Sequence, residues 1–274
     1  KQFGEGWFDR HMADLNQSNP LVANYLIQNF IWWVEYTGLD AYRVDTYTYS
    51  DRKFLMDWGK AVLDEFPKLG MFAETWVQGT QQQAYFARNV LPEIDGFKSN
   101  MPGVIDYQAQ YYTLQADWLY ENPMRNVVFL DNHDVSRFFS VVGEDLAKYK
   151  MGIAWLLTTR GTPQLYYGTE VLMKNFSNPD GKVREDFPGG FPGDKKNLFV
   201  SRTGAEAEAF DYVSKLANYR KSHPVLHSGK YMHFIPDQGV YTYFRYSDEG
   251  TVMVMMNSGK DEKTVDMARF AERL

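Results

Sequence analysis

The sequence predicts an α/β fold with a parallel sheet, followed by a small antiparallel β domain. Three observations carry this. Helix-like and strand-like stretches alternate through residues 18–222. Acidic residues stand just after the ends of several strand-like stretches. After Pro224 the pattern changes to strand-like runs with no helix between them. Alternation with crossover helices is the pattern of a parallel sheet, and consecutive short strands joined by turns are that of an antiparallel one. In a closed β/α barrel and in an open α/β sheet alike, chemistry sits at the carboxyl ends of the strands. Spacing alone does not separate the two.

In chain order, residues 1–17 read as irregular. Asn19 and Pro20 then form a helix start, a capping side chain followed by proline in the first helical position. Leu21, Tyr25, Ile27, Phe30, Ile31 and Val34 recur at helical spacing, and Gly38 is a stop. Leu39–Asp45 reads as a strand. Ser50-Asp51 opens a helix carrying Phe54, Leu55, Trp58, Val62 and Leu63, and Gly70–Glu74 is the next strand. A helix is expected around Gln82–Val90, a strand over Ile94–Ser99 and a helix over Asp106–Glu121. Asn126–Asp131 is a strand ending in Asn132-His133-Asp134. Leu146–Thr158 is an apolar helix, 163–167 a strand, 176–197 a loop rich in Gly and Pro, and Glu206–Ser222 a helix. Lys230–Ile235, Val240–Tyr246 and Thr251–Met256 are strands separated by turn residues, with a fourth over Lys263–Met267. The expected boundary places 1–224 in one domain and 225–274 in another.

Composition narrows the function. At 274 residues and 44% hydrophobic, the chain can bury a sizeable core. Its net charge of −6 gives nucleic-acid binding no electrostatic support. No apolar run is long enough to enter and span a bilayer. Cysteine is absent, which removes disulfides and thiolate metal sites. Aromatic residues make up 16% and include 19 Tyr and 7 Trp. Flat amphipathic rings suit sugars, although most aromatics in any chain fill the core.

The organising stretch is Asp40–Tyr47. Along a strand Arg43 and Asp45 share one side. A carboxylate beside a guanidinium stays charged, as a covalent nucleophile requires; the pair could equally be structural. Glu74 ends the next strand after Met71-Phe72-Ala73, with no cation near it in sequence, which favours a protonated acid. Asp134 follows a third strand. Two carboxyl groups in opposite protonation states can break a glycosidic bond. Acidic strand tips could instead bind a divalent metal.

Five stretches in order make the chain resemble glycoside hydrolase family 13, the α-amylase family. Asp40–Asp45 is similar to its strand-4 motif, Phe72–Trp76 to its strand-5 motif and Phe129–Asp134 to its strand-7 motif. Met12–Asn16 resembles an additional motif in the form typical of neopullulanases and cyclomaltodextrinases, and Gly161–Glu170 resembles the strand-8 stretch. The resemblance implies strands 4–8 of a (β/α)8 TIM barrel followed by the start of a C-terminal β-sandwich. It implies a retaining α-glucan hydrolase with Asp45 as nucleophile, Glu74 as acid/base and Asp134 as stabilising carboxylate. Arg43 and His133 would bind at the reacting sugar, and Asp180 and Arg184 would hold sugars on the non-reducing side. Trp76 would be a stacking platform. Thr48-Tyr49 replaces the family's usual pair on the leaving-group side, so Tyr49 joins the substrate-binding residues and leaves substrate preference open. A transglycosylase or a catalytically inactive carbohydrate-binding relative remains an alternative.

The resemblance also implies that the first three barrel strands lie outside this chain, so a fragment of low activity is expected. No metal ligand is assigned and no cofactor is required by these residues, with Ca2+ a feature of many intact relatives. The expected partner is an α-glucan or maltooligosaccharide, with no nucleic acid and no membrane insertion. Oligomeric state is left open. Relatives in bacterial starch-utilisation systems point to the periplasm, with the cytoplasm as the alternative.

Overall fold

A computed structural model describes residues 6–107 and 114–274. Contacts group the chain into two units, Lys1–Val128 and Phe129–Leu274. No helix among the described residues is long and apolar enough to cross a membrane.

In the first unit, the stretch expected to be irregular forms a hairpin of β1 (Trp7–Asp9) and β2 (Met12–Ala13). Helix α1 (Pro20–Thr37) starts as expected, with the Asn19 side chain accepting the Leu21 N–H at 3.0 Å. Gly38, at φ 66°, ends it by donating to the Val34 carbonyl at 2.8 Å. Strand β3 (Ala41–Val44) follows, then α2 (Arg52–Glu65), capped by Asp51 accepting the Phe54 N–H at 2.8 Å. Strand β4 (Gly70–Ala73) pairs parallel with β3 in the register Ala41↔Gly70 through Val44↔Ala73. Leu55, Trp58 and Val62 of α2 are buried, and Phe30 of α1 meets Trp58 edge-on at 5.1 Å. Tyr42 of β3 donates its hydroxyl to the Phe30 carbonyl at 2.6 Å. One core thus fixes both helices against the strand pair.

Two expectations fail here. The helix around Gln82–Val90 is shorter, α3 (Thr80–Tyr85). The strand over Ile94–Ser99 is absent. Asp95 (φ 52°) and Gly96 (φ 72°) form a tight turn whose flanks, Ile94 and Phe97, exchange both backbone hydrogen bonds. Asp-Gly with positive φ at both positions is a hairpin turn, and it reverses the chain where a strand would have run straight. The next parallel strand is β5 (Gly103–Val104), paired with β4 through Phe72↔Gly103. The helix expected over 106–121 falls partly outside the described residues, and its described part, Leu114–Leu119, is 3-10. Order in this sheet is β3-β4-β5, and Ile105 bridges on to Val127 in parallel. Strand order here follows chain order, as in a β/α barrel.

Strand β6 (Val127–Phe129) forms a two-stranded sheet with β7 (Thr162–Gln164). The second unit then holds α4 (Phe138–Val141) and α5 (Leu146–Thr158), the latter capped by Asp145 accepting the Ala147 and Lys148 N–H groups. Helix α6 (Gly204–Ser222) and the short α7 (Val225–Ser228) lead into β8 (Lys230–Asp237), β9 (Val240–Ser247) and β10 (Gly250–Asn257), an antiparallel sheet in the order β10-β9-β8. The fourth strand expected over Lys263–Met267 does not form. A 3-10 turn, Met267–Phe270, instead sets Phe270 edge-on to Phe234 at 4.9 Å.

Arginines seal the end of α5. A helix leaves its last carbonyls without partners. Arg220 donates to Leu157 O at 3.0 Å and Gly161 O at 2.9 Å. Arg245 of β9, fully buried, donates to Thr159 O at 2.6 Å, Thr158 O at 3.3 Å and Gly229 O at 3.0 Å. Burial, reinforced by Arg220, pushes Arg245 down to about 10.

Candidate active site

In the first unit, β3 and β4 deliver the two leading carboxylates. Partners across a parallel pair point to the same side, so the register Arg43↔Phe72 sends Arg43, Asp45 and Glu74 one way. The Glu74 N–H bonds to the Val44 carbonyl at 2.8 Å and extends the ladder by one rung. Arg43 Nη1 donates to Asp45 Oδ1 at 2.5 Å, and Nη2 lies 3.4 Å from Glu74 Oε1. One guanidinium therefore serves both groups. This corrects the sequence expectation that Glu74 has no cation near it: strand pairing brings Arg43 across from a position 31 residues earlier. What distinguishes the two carboxyls is surroundings. The Asp45 side chain is 57% exposed and that of Glu74 only 10%.

Glu74 has further donors. Thr46, directly after Asp45, adopts a left-handed conformation at φ 46°. A β-branched residue there is strained by about 1–2 kcal/mol. The turn aims its N–H at Glu74 Oε2, 2.8 Å away. Tyr107, just past the end of β5, is buried and donates its hydroxyl to Glu74 Oε1 at 3.4 Å. Its ring stacks on Trp76 at 5.2 Å and 10°. Trp76 is half exposed, so it is not a core residue. Sequence reasoning missed Tyr107 because it set the third strand too early; Gly103-Val104-Ile105 before Asp106-Tyr107 was the available signal.

Tyr49 is partly exposed and meets Phe8 edge-on at 4.9 Å. A groove of about 680 Å³ runs between 14–18 and 48–52, lined by Asp14, Asn16, Tyr49 and Arg52 among others. It unites Tyr49 with the Met12–Asn16 motif.

In the second unit, the segment after β6 forms a compact cluster. The Asn132 side chain accepts the Asp134 N–H at 2.8 Å and the Val135 N–H at 3.2 Å, which fixes a turn. His133 Nε2 is 3.1 Å from Asp134 Oδ2. Arg184 Nη2 donates to Asp134 Oδ1 at 2.9 Å and reaches Asp180 Oδ2 at 3.0 Å, and Arg184 Nε donates to the His133 carbonyl at 2.9 Å. Four sequence-selected residues, His133, Asp134, Asp180 and Arg184, thus lie together, with Asp180–Arg184 forming a 3-10 turn.

Asp131 was not singled out. It is buried and accepts from the Phe138 N–H and the Thr169 hydroxyl, both at 2.8 Å. Burial raises its carboxyl above the ordinary range, against those two hydrogen bonds. Arg137, also missed and fully buried, donates to the Tyr167 carbonyl at 2.6 Å and covers the Tyr166 ring at 4.1 Å. Among the described residues, no group of three or more His, Asp or Glu side chains is placed to hold a metal ion.

Two family descriptions match the chain: "Alpha amylase, catalytic domain" over residues 96–199 and "Cyclo-malto-dextrinase C-terminal domain" over 231–274. A cyclomaltodextrin glucanotransferase of Klebsiella oxytoca is 25% identical, over 95% of this chain and 45% of its own length. A cyclomaltodextrinase of Bacillus sp is 24% identical over 94% of this chain and 46% of its own. Among solved structures, an α-amylase of Geobacillus thermoleovorans complexed with acarbose superposes with a TM-score of 0.74 at 26% identity, covering 93% of this chain and 56% of that one. The chain therefore spans about half the length of these relatives. Its fold is that of the C-terminal part of a (β/α)8 barrel followed by an antiparallel sheet.

Proposed function

We propose that this chain, which matches the α-amylase catalytic domain over residues 96–199 and the cyclo-malto-dextrinase C-terminal domain over 231–274, is a member of the α-amylase family of glycoside hydrolases and carries the catalytic residues of a retaining α-glucan hydrolase of neopullulanase or cyclomaltodextrinase type. The substrate is a maltooligosaccharide or cyclic maltodextrin, cleaved at α-1,4 and also at α-1,6 glucosidic bonds. The supporting observation is the Arg43 guanidinium bonded to both Asp45 and Glu74 on neighbouring strand ends. Asp45 attacks the anomeric carbon while Glu74 gives its proton to the departing glycosidic oxygen. Glu74 then takes a proton from water, whose oxygen displaces Asp45 and restores the free enzyme. Asp134 stabilises the positive charge on the ring, and His133 hydrogen-bonds the sugar. Trp76 offers its exposed side to a neighbouring glucose, and Tyr49 lines the leaving-group side. No step runs through a metal ion; calcium in the intact enzyme and a periplasmic location are part of the same proposal.

The test is Asp45→Asn in the full-length protein. Turnover of maltooligosaccharide should fall by several orders of magnitude while calorimetric binding of the same sugar persists. An active Asp45→Asn enzyme, or a product of inverted anomeric configuration, overturns the reading. Matching relatives named cyclomaltodextrin glucanotransferase favour one second reading, transfer of the same intermediate to a sugar. Product analysis at high acceptor concentration separates the two.

A further inference from the structure

The assigned chemistry gives Arg184 no part in the reaction beyond holding a distant sugar, yet its guanidinium is spent on the protein. Its Nε carries the His133 carbonyl at 2.9 Å. Its Nη2 is shared between Asp134 Oδ1 at 2.9 Å and Asp180 Oδ2 at 3.0 Å. Asp134 Oδ2 faces His133 Nε2 at 3.1 Å. Both oxygens of Asp134 are therefore engaged, one by an arginine and one by a histidine, while Asn132 fixes its backbone. The Asp134 side chain is 21% exposed and Asp180 64%, so Asp180 is the solvent-side anchor that sets the arginine against the inner carboxylate. Asp180 and Arg184 stand at the two ends of one 3-10 turn, and their ion pair spans it.

We propose that Arg184 is a positioning residue, holding the Asp134 carboxylate in one orientation, with Asp180 as its anchor. The proposal rests on Asp134 being the stabilising carboxylate of the reaction. A charge-assisted bond of this kind locks the rotamer of the group it meets, and a carboxylate turned away from the ring loses its effect on the transition state. The loop over 176–197 thereby acts on the chemical step through a protein contact, independently of how many sugars the substrate offers.

Substrate length tests this in the full-length protein. A residue that only grips a distant sugar changes KM for long maltooligosaccharides and leaves short ones alone. A residue acting through Asp134 lowers kcat for short and long substrates alike. Arg184→Gln should reduce kcat about tenfold to a hundredfold on both, the worth of one charge-assisted hydrogen bond. Arg184→Lys should recover part of that loss, since it keeps the charge without the fork. Asp180→Asn leaves Arg184 in place, loosens its anchor and should give a smaller loss of the same type; it also serves if Arg184→Gln fails to fold. Unchanged kcat with a raised KM confined to long substrates overturns the proposal. A fully active Asp134→Asn enzyme overturns the underlying reading instead, and the two results are distinct.

Discussion

Tyr107 touches two residues of the proposed site at once. Its hydroxyl reaches Glu74 and its ring supports Trp76. These contributions are separable. Tyr107→Phe deletes a single long hydrogen bond of 3.4 Å and keeps the stack. Such a bond is worth about 0.5–1.5 kcal/mol, so steady-state kinetics should show kcat down about twofold to tenfold with KM little changed. Tyr107→Ala also removes the support under Trp76, and KM should rise as well. Equal kinetics for Tyr107→Phe and the parent enzyme would show that the hydroxyl is not used. The residues proposed to carry the chemistry could be picked out from sequence because their motifs are short and local. Tyr107 was not, because its importance comes from a ring contact and a hydrogen bond to residues some 30 positions earlier. The same limit hid the second bond of Arg43: the sequence places it beside Asp45, and only the register places it beside Glu74.

At the scale of elements, Asp131 ties three together. It lies just past β6, accepts the N–H of Phe138 at the start of α4, and accepts the Thr169 hydroxyl beyond β7. Burial raises its folded-state titration above that of the unfolded chain. The sign follows from linkage. The folded state holds this proton more tightly, so the group's contribution is fully present below the unfolded value of about 4. That contribution is lost as pH rises through the folded value. Melting temperatures of the parent and Asp131→Asn, measured from about pH 4 upward, should show the parent losing ground relative to the variant as pH rises through that window. A flat difference would mean that the hydrogen bonds cancel the cost of burial. Capping was the most legible feature at this scale: Asn19 and Asp51 accept the backbone N–H groups that their positions imply. The failure at Ile94–Ser99 has an equally local cause. Asp95-Gly96 is a turn signal inside an apolar run, and the turn won over the run.

For the chain as a whole, the match to the α-amylase catalytic domain and the superposition on a solved α-amylase resolve what periodicity left open between a barrel and an open sheet. The antiparallel sheet was visible from the change after Pro224, but its mode of attachment was not. Within the second unit, Arg245 of β9 supplies donors to the last carbonyls of α5. Arg245→Met keeps an apolar stem there and leaves those buried carbonyls unsatisfied. Loss of about 3 kcal/mol or more is expected, read by denaturant unfolding as a lower midpoint. A variant as stable as the parent would show that water or Arg220 replaces the lost bonds.

The Arg43 fork also works as a check on assembly. Its two prongs meet residues of different strands, and they meet only when Val44 lies beside Ala73. Slide β4 by one position and Glu74 turns to the opposite face, leaving a cation with a single mate. On the proposed chemistry, a molecule misaligned here has no acid opposite its nucleophile and loses turnover outright.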